Sequence, residues 1–548
     1  MRGKKVSLLL AIIITLSLAV SPAIAETGVK DGGNPILAGA ESWEVEGVGT
    51  SWVLYDDVGG TYMMWYSGKD GDGFTAIGYA TAGSPEGPWV KDGGNPVLLK
   101  GDIGQWDAYG VGGASVIYDA DASLYKMWYT GMDASQIARI GYATAAAPEG
   151  PWTKNNQGGG GPLYTSDYVV DIGGAGTWDE NGVGGPSVIR EDATTYHMWY
   201  TGRDDDGTTL GVVAIGYTSS TDGVADWDTN KQGAVFEKSA TPGDWDERGV
   251  GAACVIPEVS GAVTTYSMYY TGYDNLVIPG AGIFGQIGLA KSVDGQVWTR
   301  EADLNPMLEA GAAASWEELG VGAPCAVKVE GVTNIWYTGS DNNLLTGIGH
   351  ATAFPVASIT LPAVWNMFSL PLNPVGDNYD FSLVLGDDVT ASLFVFWYDP
   401  STGGYKGWPG QYFPAEIGRG YWLRLYEETV IDVEGLPAET DTYALAPTPG
   451  KEFYTLAVST PWNMIGAPFE ISVAWEDCLY YHDATFYTIA EAHAANLLSQ
   501  YIFDYNTTSG GYNQSDATNG ILVPWKGYWL RVYSEGDLLI PPIEYVAP

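Results

Sequence analysis

A sequence unit that recurs five times constrains the fold of this chain more than any other feature. Each copy contains Trp, an acidic residue, two variable residues and Gly-Val, and the copies lie 63 to 72 residues apart. The five Trp-acid pairs are Trp43-Glu44, Trp106-Asp107, Trp178-Asp179, Trp245-Asp246 and Trp316-Glu317. Self-similarity of this kind indicates a repeat architecture, in which copies of one supersecondary unit stack on each other.

Each unit has the pattern of four short β-strands. A short apolar run follows Gly-Val, an aromatic run ends in Tyr-Ser/Thr-Gly, a third run contains Ile-Gly, and a fourth begins near a Trp in the first four units. Gly- and Asp-rich turns separate the runs, which is typical of antiparallel hairpins. The second run is apolar at nearly every position, so both of its faces must be covered. The sequence therefore predicts an all-β fold, with a five-bladed β-propeller over residues 26–354.

The N-terminal segment supplies a strand that the fifth unit lacks. The fifth unit ends at its third run, near Ala353, without a following Trp-x-Lys segment. Residues 29–37 (Val-Lys-Asp-Gly-Gly-Asn-Pro-Ile-Leu) nearly repeat residues 90–98 (Val-Lys-Asp-Gly-Gly-Asn-Pro-Val-Leu), the fourth-strand segment of the first unit. We therefore expect the N-terminal strand to complete the last blade and close the ring.

The start of the chain and its charge restrict the compartment and the partners. Residues 1–25 have a basic start, an apolar run over 6–20 and the small-x-small sequence Ala23-Ile24-Ala25, which predict a signal peptide. We expect a secreted protein, extracellular or at the cell surface, without a membrane span. The formal net charge of −42 would repel nucleic acid and anionic membranes, so neither is expected as a partner.

The tail contains a second duplication. The first copy covers residues 355–450 and the second covers residues 451–548, and we predict two related small β-rich modules. Only the second has the pattern of a helix, near residues 489–500. The shared motifs are Trp365-Asn366-Met367 with Trp462-Asn463-Met464, and Gly420-Tyr421-Trp422 with Gly527-Tyr528-Trp529.

The motif order in residues 26–354 resembles the five-bladed β-propeller glycoside hydrolase superfamily of arabinanases, β-xylosidases, invertases, levansucrases and mannoside phosphorylases. The motifs that carry the resemblance are Asn-Pro-Val-Leu, Trp-Asp/Glu-x-x-Gly-Val, Met-Trp-Tyr-Thr-Gly, Ile-Gly-Tyr-Ala and Pro-Glu-Gly-Pro-Trp. The resemblance implies an extracellular glycan or polysaccharide at the central opening. The tail modules resemble Trp-Asn…Gly-Tyr-Trp repeats of secreted bacterial and archaeal surface proteins, which implies association with the cell surface.

The runs after Gly-Val, which the resemblance identifies as the innermost strands, contain no acid. Glycoside hydrolysis needs two carboxyl groups at a set separation and in unequal environments. Where many members of the superfamily have Glu before Gly-Pro or Cys-Pro, this chain has Gly184-Gly185-Pro186. We therefore predict glycan binding with the family's catalytic carboxylates lost. Two alternatives stay open: an active glycoside hydrolase that uses acids of the mouth loops, and a structural or adhesive cell-surface protein.

Two sets of acids are predicted to surround the opening, one in the Trp-acid loops and one in the turns after Tyr-Ser/Thr-Gly. Because every unit carries both, a structural role is the first interpretation, with the turn acids accepting backbone N–H bonds. The weak candidates for a catalytic pair are Asp107 and Glu180. The candidate ligand-binding residues are Glu44, Glu46, Tyr109, Asp179, Asp246, Arg248, Glu317 and Glu318. The turn acids are Asp70, Asp133, Asp204, Asp274 and Asp341.

No cofactor is predicted, and no metal site. The turns at residues 70–73 and 204–207 have the Asp-rich pattern of calcium loops but lack the Glu at the twelfth position, so a calcium ion is only an alternative. Three cysteines cannot form a closed disulfide framework. Cys254 and Cys325 occupy equivalent positions in neighbouring units and are interpreted as small buried residues, with a disulfide between them as the alternative.

Overall fold

The computed structural model describes residues 25–155, 167–204, 213–260, 263–274, 285–301, 305–329, 331–374, 380–385, 388–389, 393–436, 438, 440–442 and 452–543. The predicted all-β class is confirmed: the described residues form 39 strands, two short α-helices and two 3-10 turns. The predicted signal peptide lies outside the described residues, apart from Ala25.

Two N-terminal strands and five antiparallel units make up the first part of the chain. The N-terminal strands are β1 (Ala25–Lys30) and β2 (Leu37–Ala38). The first unit contains β3 (Gly47–Asp56), β4 (Thr61–Lys69), β5 (Thr75–Ala82) and β6 (Val90–Lys91). The second contains β7 (Gly110–Asp119), β8 (Leu124–Met132), β9 (Ala138–Ala145), β10 (Thr153–Lys154) and β11 (Tyr168–Val170). The third contains β12 (Gly182–Asp192), β13 (Thr195–Arg203), β14 (Val213–Ser220) and β15 (Ala234–Phe236). The fourth contains β16 (Gly249–Ser260), β17 (Val263–Tyr273), β18 (Gln286–Ser292) and β19 (Thr299–Arg300). The fifth contains β20 (Gly320–Val329), β21 (Val332–Ser340) and β22 (Thr346–Leu361).

The N-terminal strands pair with the last strand of the fifth unit. In this antiparallel pairing Val29 lies opposite Thr352 and Leu37 lies opposite Ile348. The first strands of the five units contact each other in the order β3, β7, β12, β16, β20 and again β3. The second strands are largely buried, with Met64, Trp65 and Tyr66 at most 1% exposed. Their apolar side chains pack between neighbouring units, as the unbroken apolar runs require.

A repeated hydrogen bond joins each first strand to the preceding unit. Near its start every first strand has one residue with φ between +44° and +54°, where the ladder to the second strand shifts register. The N–H of this residue donates to a Thr or Ser hydroxyl of the Tyr-Ser/Thr-Gly motif in the preceding unit, at 2.7 to 3.0 Å. The donor and acceptor pairs are Thr50 and Thr338, Gly113 and Ser67, Gly185 and Thr130, Ala252 and Thr201, and Ala323 and Thr271.

The predicted burial of two cysteines has a structural reason. Cys254 and Cys325 each lie two residues after the positive-φ residue of their first strand. Cys254 accepts a hydrogen bond from the Ala326 N–H and Cys325 accepts one from the Val53 N–H, each at 3.1 Å. Ser115 and Ser187 accept the equivalent bonds in the units before them. All three cysteines are buried and free, so the disulfide alternative is not supported.

The tail forms two four-stranded sheets of matching strand order. The strands of the first tail module are β23 (Trp365–Ser369), β24 (Asn373–Pro374), β25 (Val395–Asp399), β26 (Gly404–Trp408), β27 (Gly420–Arg424), β28 (Thr429–Leu436) and β29 (Asp441–Thr442). Those of the second are β30 (Glu452–Val458), β31 (Trp462–Gly466), β32 (Val473–Ala474), β33 (Leu479–His482), β34 (Thr485–Thr488), β35 (Leu498–Asn506), β36 (Gly511–Ser515), β37 (Ile521–Leu522), β38 (Gly527–Val532) and β39 (Gly536–Ile540). The sheets run β23-β27-β25-β26 and β31-β38-β35-β36. Strand β22 continues past residue 354 and pairs with β28.

The predicted helix of the second module is shorter than expected. Helix α2 covers Ile489–Ala494 and begins with a capping box in which Thr488 and Glu491 bond each other's backbone N–H. It ends because Asn496 has φ +56° and β35 begins at Leu498. The first module contains a single-turn helix, α1, over Phe381–Val384.

A glycine of the Tyr-Ser/Thr-Gly motif makes room for the tryptophan of each Trp-acid loop. A Cβ atom on Gly131 would lie 2.3 Å from the Trp106 ring, and one on Gly202 would lie 2.2 Å from the Trp178 ring. We expect Gly131→Ala to lower the free energy of unfolding by about 1–3 kcal/mol, because the indole and the strand must move apart. Urea unfolding of the full chain measures this.

Gly83→Ala is the control for this prediction. A Cβ on Gly83 meets nothing within 4 Å, so this variant should leave stability within about 0.5 kcal/mol of the wild type. Equal stabilities for the two variants would show that the indole contact does not constrain the unit.

Candidate functional site

The central cavity is too small for a sugar. It is lined by the starts of the five first strands, and its volume is about 50 Å³, whereas ligand pockets occupy roughly 300–1,000 Å³. The lining contains no acidic or basic side chain among the described residues. The residues are Thr50, Ser51, Trp52, Gly113, Ala114, Gly185, Pro186, Ala252, Ala253, Ala323 and Pro324.

The five acids of the Trp-acid loops lie inside the units, beside cations from the outermost strands or, in the third unit, from the segment just before that strand. All five are at most 6% exposed. Each carboxylate also lies beside the motif tyrosine of its own unit, as Asp179 does at 3.3 Å from the Tyr200 hydroxyl. The ion pairs are Lys91 with Glu44, Lys154 with Asp107 (2.5 Å), Lys231 with Asp179 (3.2 Å), Arg300 with Asp246 (2.8 Å) and Lys30 with Glu317 (2.6 Å). This geometry favours the structural interpretation of the repeated acids.

Burial and these carboxylates raise the pKa of the motif tyrosines. Tyr200 lies in low-dielectric surroundings next to Asp179, and both effects hold its pKa well above the usual range. The phenol therefore stays neutral and can donate its O–H to the carboxylate.

The acids that directly follow a Trp-acid pair accept hydrogen bonds from backbone N–H groups of their own loops. The Glu180 carboxylate accepts a hydrogen bond from the Gly176 N–H, and Glu318 accepts one from the Ala314 N–H at 2.7 Å. Asp107 and Glu180, the predicted catalytic candidates, are thus each engaged in a separate local interaction.

The other candidate residues of the loops lie nearer to solvent. Glu46 forms an ion pair with Lys69 at 2.8 Å, and both side chains are more than 40% exposed. The Tyr109 ring lies edge-on to Phe74 at 5.5 Å. Arg248 is exposed. None of these side chains lines the central cavity.

Three of the five turn acids bond their own turns, as predicted; the turns after Asp204 and Asp274 lie outside the described residues. Asp70 accepts the N–H groups of Asp72 and Phe74 at 3.0 and 2.9 Å. Asp133 and Asp341 make the same pair of contacts in the second and fifth units. Within the described ranges, no group of three or more His, Cys, Asp or Glu side chains is arranged to hold a metal ion. Part of the Asp-rich turn after Asp204 lies outside those ranges.

One pocket of ligand size lies against the Trp-acid loop of the third unit. Its volume is about 530 Å³. Its wall combines the Trp178 indole with three carboxylates, an ammonium group and a carboxamide. We call it the unit-three pocket; its polar side chains are Asp171, Asp179, Asp228, Lys231 and Gln232.

The charged groups of the unit-three pocket hold each other in place. Lys231 Nζ lies 3.2 Å from Asp179 and 3.5 Å from Asp228. Asp171 bonds Arg139 at 2.8 Å and the Tyr168 hydroxyl at 2.9 Å, and its N–H donates to Asp228 at 3.0 Å. Asp171 and Asp228 are 37% and 47% exposed, so they face the open pocket.

The two exposed carboxyls of this pocket differ in environment. The protein atoms around Asp228 raise its pKa, because Lys231 and the Asp171 N–H offset the loss of water only in part. Asp171 instead accepts bonds from a guanidinium group and a phenol. The pocket therefore places two unequal carboxyls beside one indole.

Sequence analysis missed Asp171, Asp228, Lys231 and Gln232. A usable signal was present, because the fourth-strand Trp and its cation are two residues apart in the first, second and fourth units. In the third unit Trp227 and Lys231 are four apart. The segment between Trp227 and Lys231, which is two residues longer than in the first, second and fourth units, contains Asp228.

We predict that Lys154→Met lowers the free energy of unfolding by about 3 kcal/mol, because it leaves the buried Asp107 carboxylate without its counter-ion. Lys69→Met is the control, since the Lys69–Glu46 pair is exposed and should contribute about 1 kcal/mol or less. Chemical unfolding of both variants measures the difference. Equal losses would contradict the structural assignment of the repeated acids.

The comparisons with known proteins concern fold only. No protein-family model matches the chain, and no curated protein matches it. None of the described helices is long and apolar enough to cross a membrane. A glycosyl hydrolase of Bacteroides ovatus is similar in structure, with 15% identity, a TM-score of 0.43 and coverage of 60% of this chain and 93% of that chain. The catalytic domain of an α-L-arabinofuranosidase of Coprinopsis cinerea has 15% identity, a TM-score of 0.41 and coverages of 60% and 96%. A β-1,2-mannobiose phosphorylase of Listeria innocua has 14% identity, a TM-score of 0.41 and coverages of 59% and 96%.

Proposed function

We propose that the chain is a secreted glycan-binding protein whose five units are the blades of a closed propeller. The pairing of β1 with β22 and the bond from Thr50 to Thr338 support closure, because they join the first and last parts of the repeat region. Residues 26–354 form the propeller in this proposal, and residues 355–450 and 451–548 form two accessory modules at the cell surface.

The unit-three pocket is the observation that carries the proposed binding function. A sugar ring has an apolar C–H face and polar hydroxyl edges. The Trp178 indole offers an apolar face, and Asp171, Asp228 and Gln232 offer acceptors and donors around it. A pocket of about 530 Å³ has room for one or two sugar rings, whereas the central cavity does not.

We favour binding without hydrolysis. The carboxylates that the repeat places in every unit are neutralised by Lys or Arg inside the units, and the central lining carries no acid among the described residues. Hydrolysis would require a protonated and an ionised carboxyl on opposite sides of one glycosidic bond.

An active glycoside hydrolase is the second candidate, and one observation favours it. Asp228 has a raised pKa, and the adjacent Asp171 is held by Arg139. Two carboxyls in unequal environments are the arrangement that general acid catalysis uses. The general acid would be Asp228, and Asp171 would be the second carboxyl.

We predict that Gln232→Leu weakens glycan binding about fivefold, because it removes one hydrogen-bonding group from the pocket wall. The backbone bond from the Gln232 N–H to Tyr217 stays intact. The measurement is a glycan array with the full chain, followed by titration of the best ligand.

Asn155→Leu is the matched control. Asn155 is equivalent to Gln232 in the second unit, and its N–H bonds Tyr142 in the same way. This variant should bind like the wild type. Equal weakening in both variants, or glycan binding that neither affects, would contradict the assignment of the site.

We predict that the wild type releases no reducing sugar from the glycans that it binds. If it does, Asp171→Asn with Asp228→Asn would abolish release under the second candidate. The pair predicted from sequence, Asp107→Asn with Glu180→Gln, would abolish release if the mouth loops were catalytic. Thermal unfolding must show that each double variant is folded. If the wild type neither binds any glycan nor releases reducing sugar, the structural cell-surface alternative is favoured.

A further inference from the structure

The duplicated motifs of the tail build two equivalent aromatic clefts. Successive side chains of strand β38 point to opposite faces of its sheet. Leu530 is fully buried in the core of the second module, whereas its neighbour Trp529 lies on the opposite face. Trp462 lies on this second face too, because it pairs with Arg531, two residues from Trp529. The first module repeats the arrangement with Trp365 and Trp422.

Each cleft is completed by a tyrosine of the other module. Cleft one is lined by Trp365, Phe396, Tyr405, Trp422 and Tyr505, with a volume of about 430 Å³. Cleft two is lined by Trp462, Phe503, Tyr512, Trp529 and Tyr398, with a volume of about 480 Å³. Tyr505 belongs to the second module and Tyr398 to the first, so the two modules exchange tyrosines reciprocally.

The two clefts have nearly the same internal geometry. The Tyr505 and Trp422 ring centres are 5.0 Å apart at 74°, and those of Tyr398 and Trp529 are 5.2 Å apart at 75°. The two tryptophans of cleft one meet at 87° and 6.3 Å, and those of cleft two meet at 82° and 6.2 Å. Each cleft is therefore a corner with two perpendicular aromatic walls.

Core packing does not account for the open side of these corners. Trp365 is 41% exposed, and Tyr405 and Tyr512 are 54% and 53% exposed. Several aromatic rings left together at the surface mark an interaction site rather than a core. The described residues place no other part of the chain over either cleft.

The chemistry of the lining selects the ligand. None of the ten lining residues is charged, and the charged group that lies against a lining ring is the Arg531 guanidinium, 5.5 Å from the centre of the Trp462 ring. The lining itself therefore suits a neutral group, and the strongly acidic chain would repel a polyanion. The indole N–H groups of Trp462 and Trp529 have no acceptor among the described residues and are not sealed from solvent. Cleft two thus combines flat apolar walls with free donors at its edge.

A saturated ring with an apolar face and hydroxyls at its edge fits this corner. A proline-rich segment also presents apolar rings, but it binds along a continuous groove of aromatic ridges, whereas two walls at right angles enclose a single ring. We propose that each cleft binds one neutral pyranose ring of a polysaccharide, so that the tail holds two rings at once. This site is separate from the unit-three pocket and does not depend on it.

The test uses the full chain and four insoluble polysaccharides: cellulose, chitin, mannan and xylan. Co-sedimentation with at least one of them is expected. Trp365→Ala with Tyr405→Ala, and separately Trp462→Ala with Tyr512→Ala, should each weaken that binding about tenfold. The fourfold variant should lose the whole tail contribution, so that only binding sensitive to Gln232→Leu remains. These side chains are partly exposed, so their truncation spares the module cores.

Two controls separate this proposal from the propeller site and from general surface effects. Tyr412→Ala, an exposed aromatic residue outside both clefts, should leave binding unchanged. In a Gln232→Leu background, which weakens only the unit-three pocket, each double variant should cause the same further loss as it does in the wild type. Soluble oligosaccharides of the bound polysaccharide should quench tryptophan fluorescence in the wild type, and less in either double variant.

Three results would overturn the proposal. These are no retention by any of the four polysaccharides, retention that the fourfold variant leaves undiminished, and binding of a decaproline peptide that the double variants abolish while no polysaccharide binds. Loss of propeller binding alone, in Gln232→Leu, would leave the tail proposal intact.

Discussion

The hydrogen bond between a left-handed residue of each first strand and a hydroxyl of the preceding unit determines the backbone conformation where the five first strands meet. Three of the five left-handed residues are not glycine, namely Thr50, Ala252 and Ala323. Each pays roughly 1–2 kcal/mol for this conformation. The hydroxyl offsets the cost, because a buried N–H without a partner would cost about 1–3 kcal/mol. The Ser or Thr of the Tyr-Ser/Thr-Gly motif is therefore required at the position before glycine.

This bond also explains why the centre is an unpromising place for a ligand. The left-handed turn brings the backbones of neighbouring first strands together, as the distance of 3.8 Å between an added Gly113 Cβ and Gly185 Cα illustrates. Only small side chains fit around the axis, with Trp52 as the exception. In the described part of the repeat region, the pocket of ligand size lies where a unit departs from the repeat. The third unit does so, through the two residues inserted before Lys231.

Sequence reasoning reached the features that repetition makes visible. The four-strand unit and the pairing of Val29 with the end of the repeat region follow from copied residues, since equal sequences form equal contacts. The end of helix α2 was missed because Asn496 takes a left-handed conformation that its sequence does not require. The carboxyls of the unit-three pocket were missed for a different reason. Asp171 and Asp228 are 57 residues apart and meet only through the fold.

The repeat region and the tail use repetition in opposite ways. In the five units, equivalent acids are all neutralised by the same kind of partner, so a site arises where the repeat is broken. In the tail, each cleft needs a tyrosine from the other module: Tyr505 of the second module completes cleft one, and Tyr398 of the first module completes cleft two. Two copies facing each other complete both clefts at once. Neither module alone has a complete cleft, so the pair of modules is the smallest unit in which all five aromatic residues of a cleft come together.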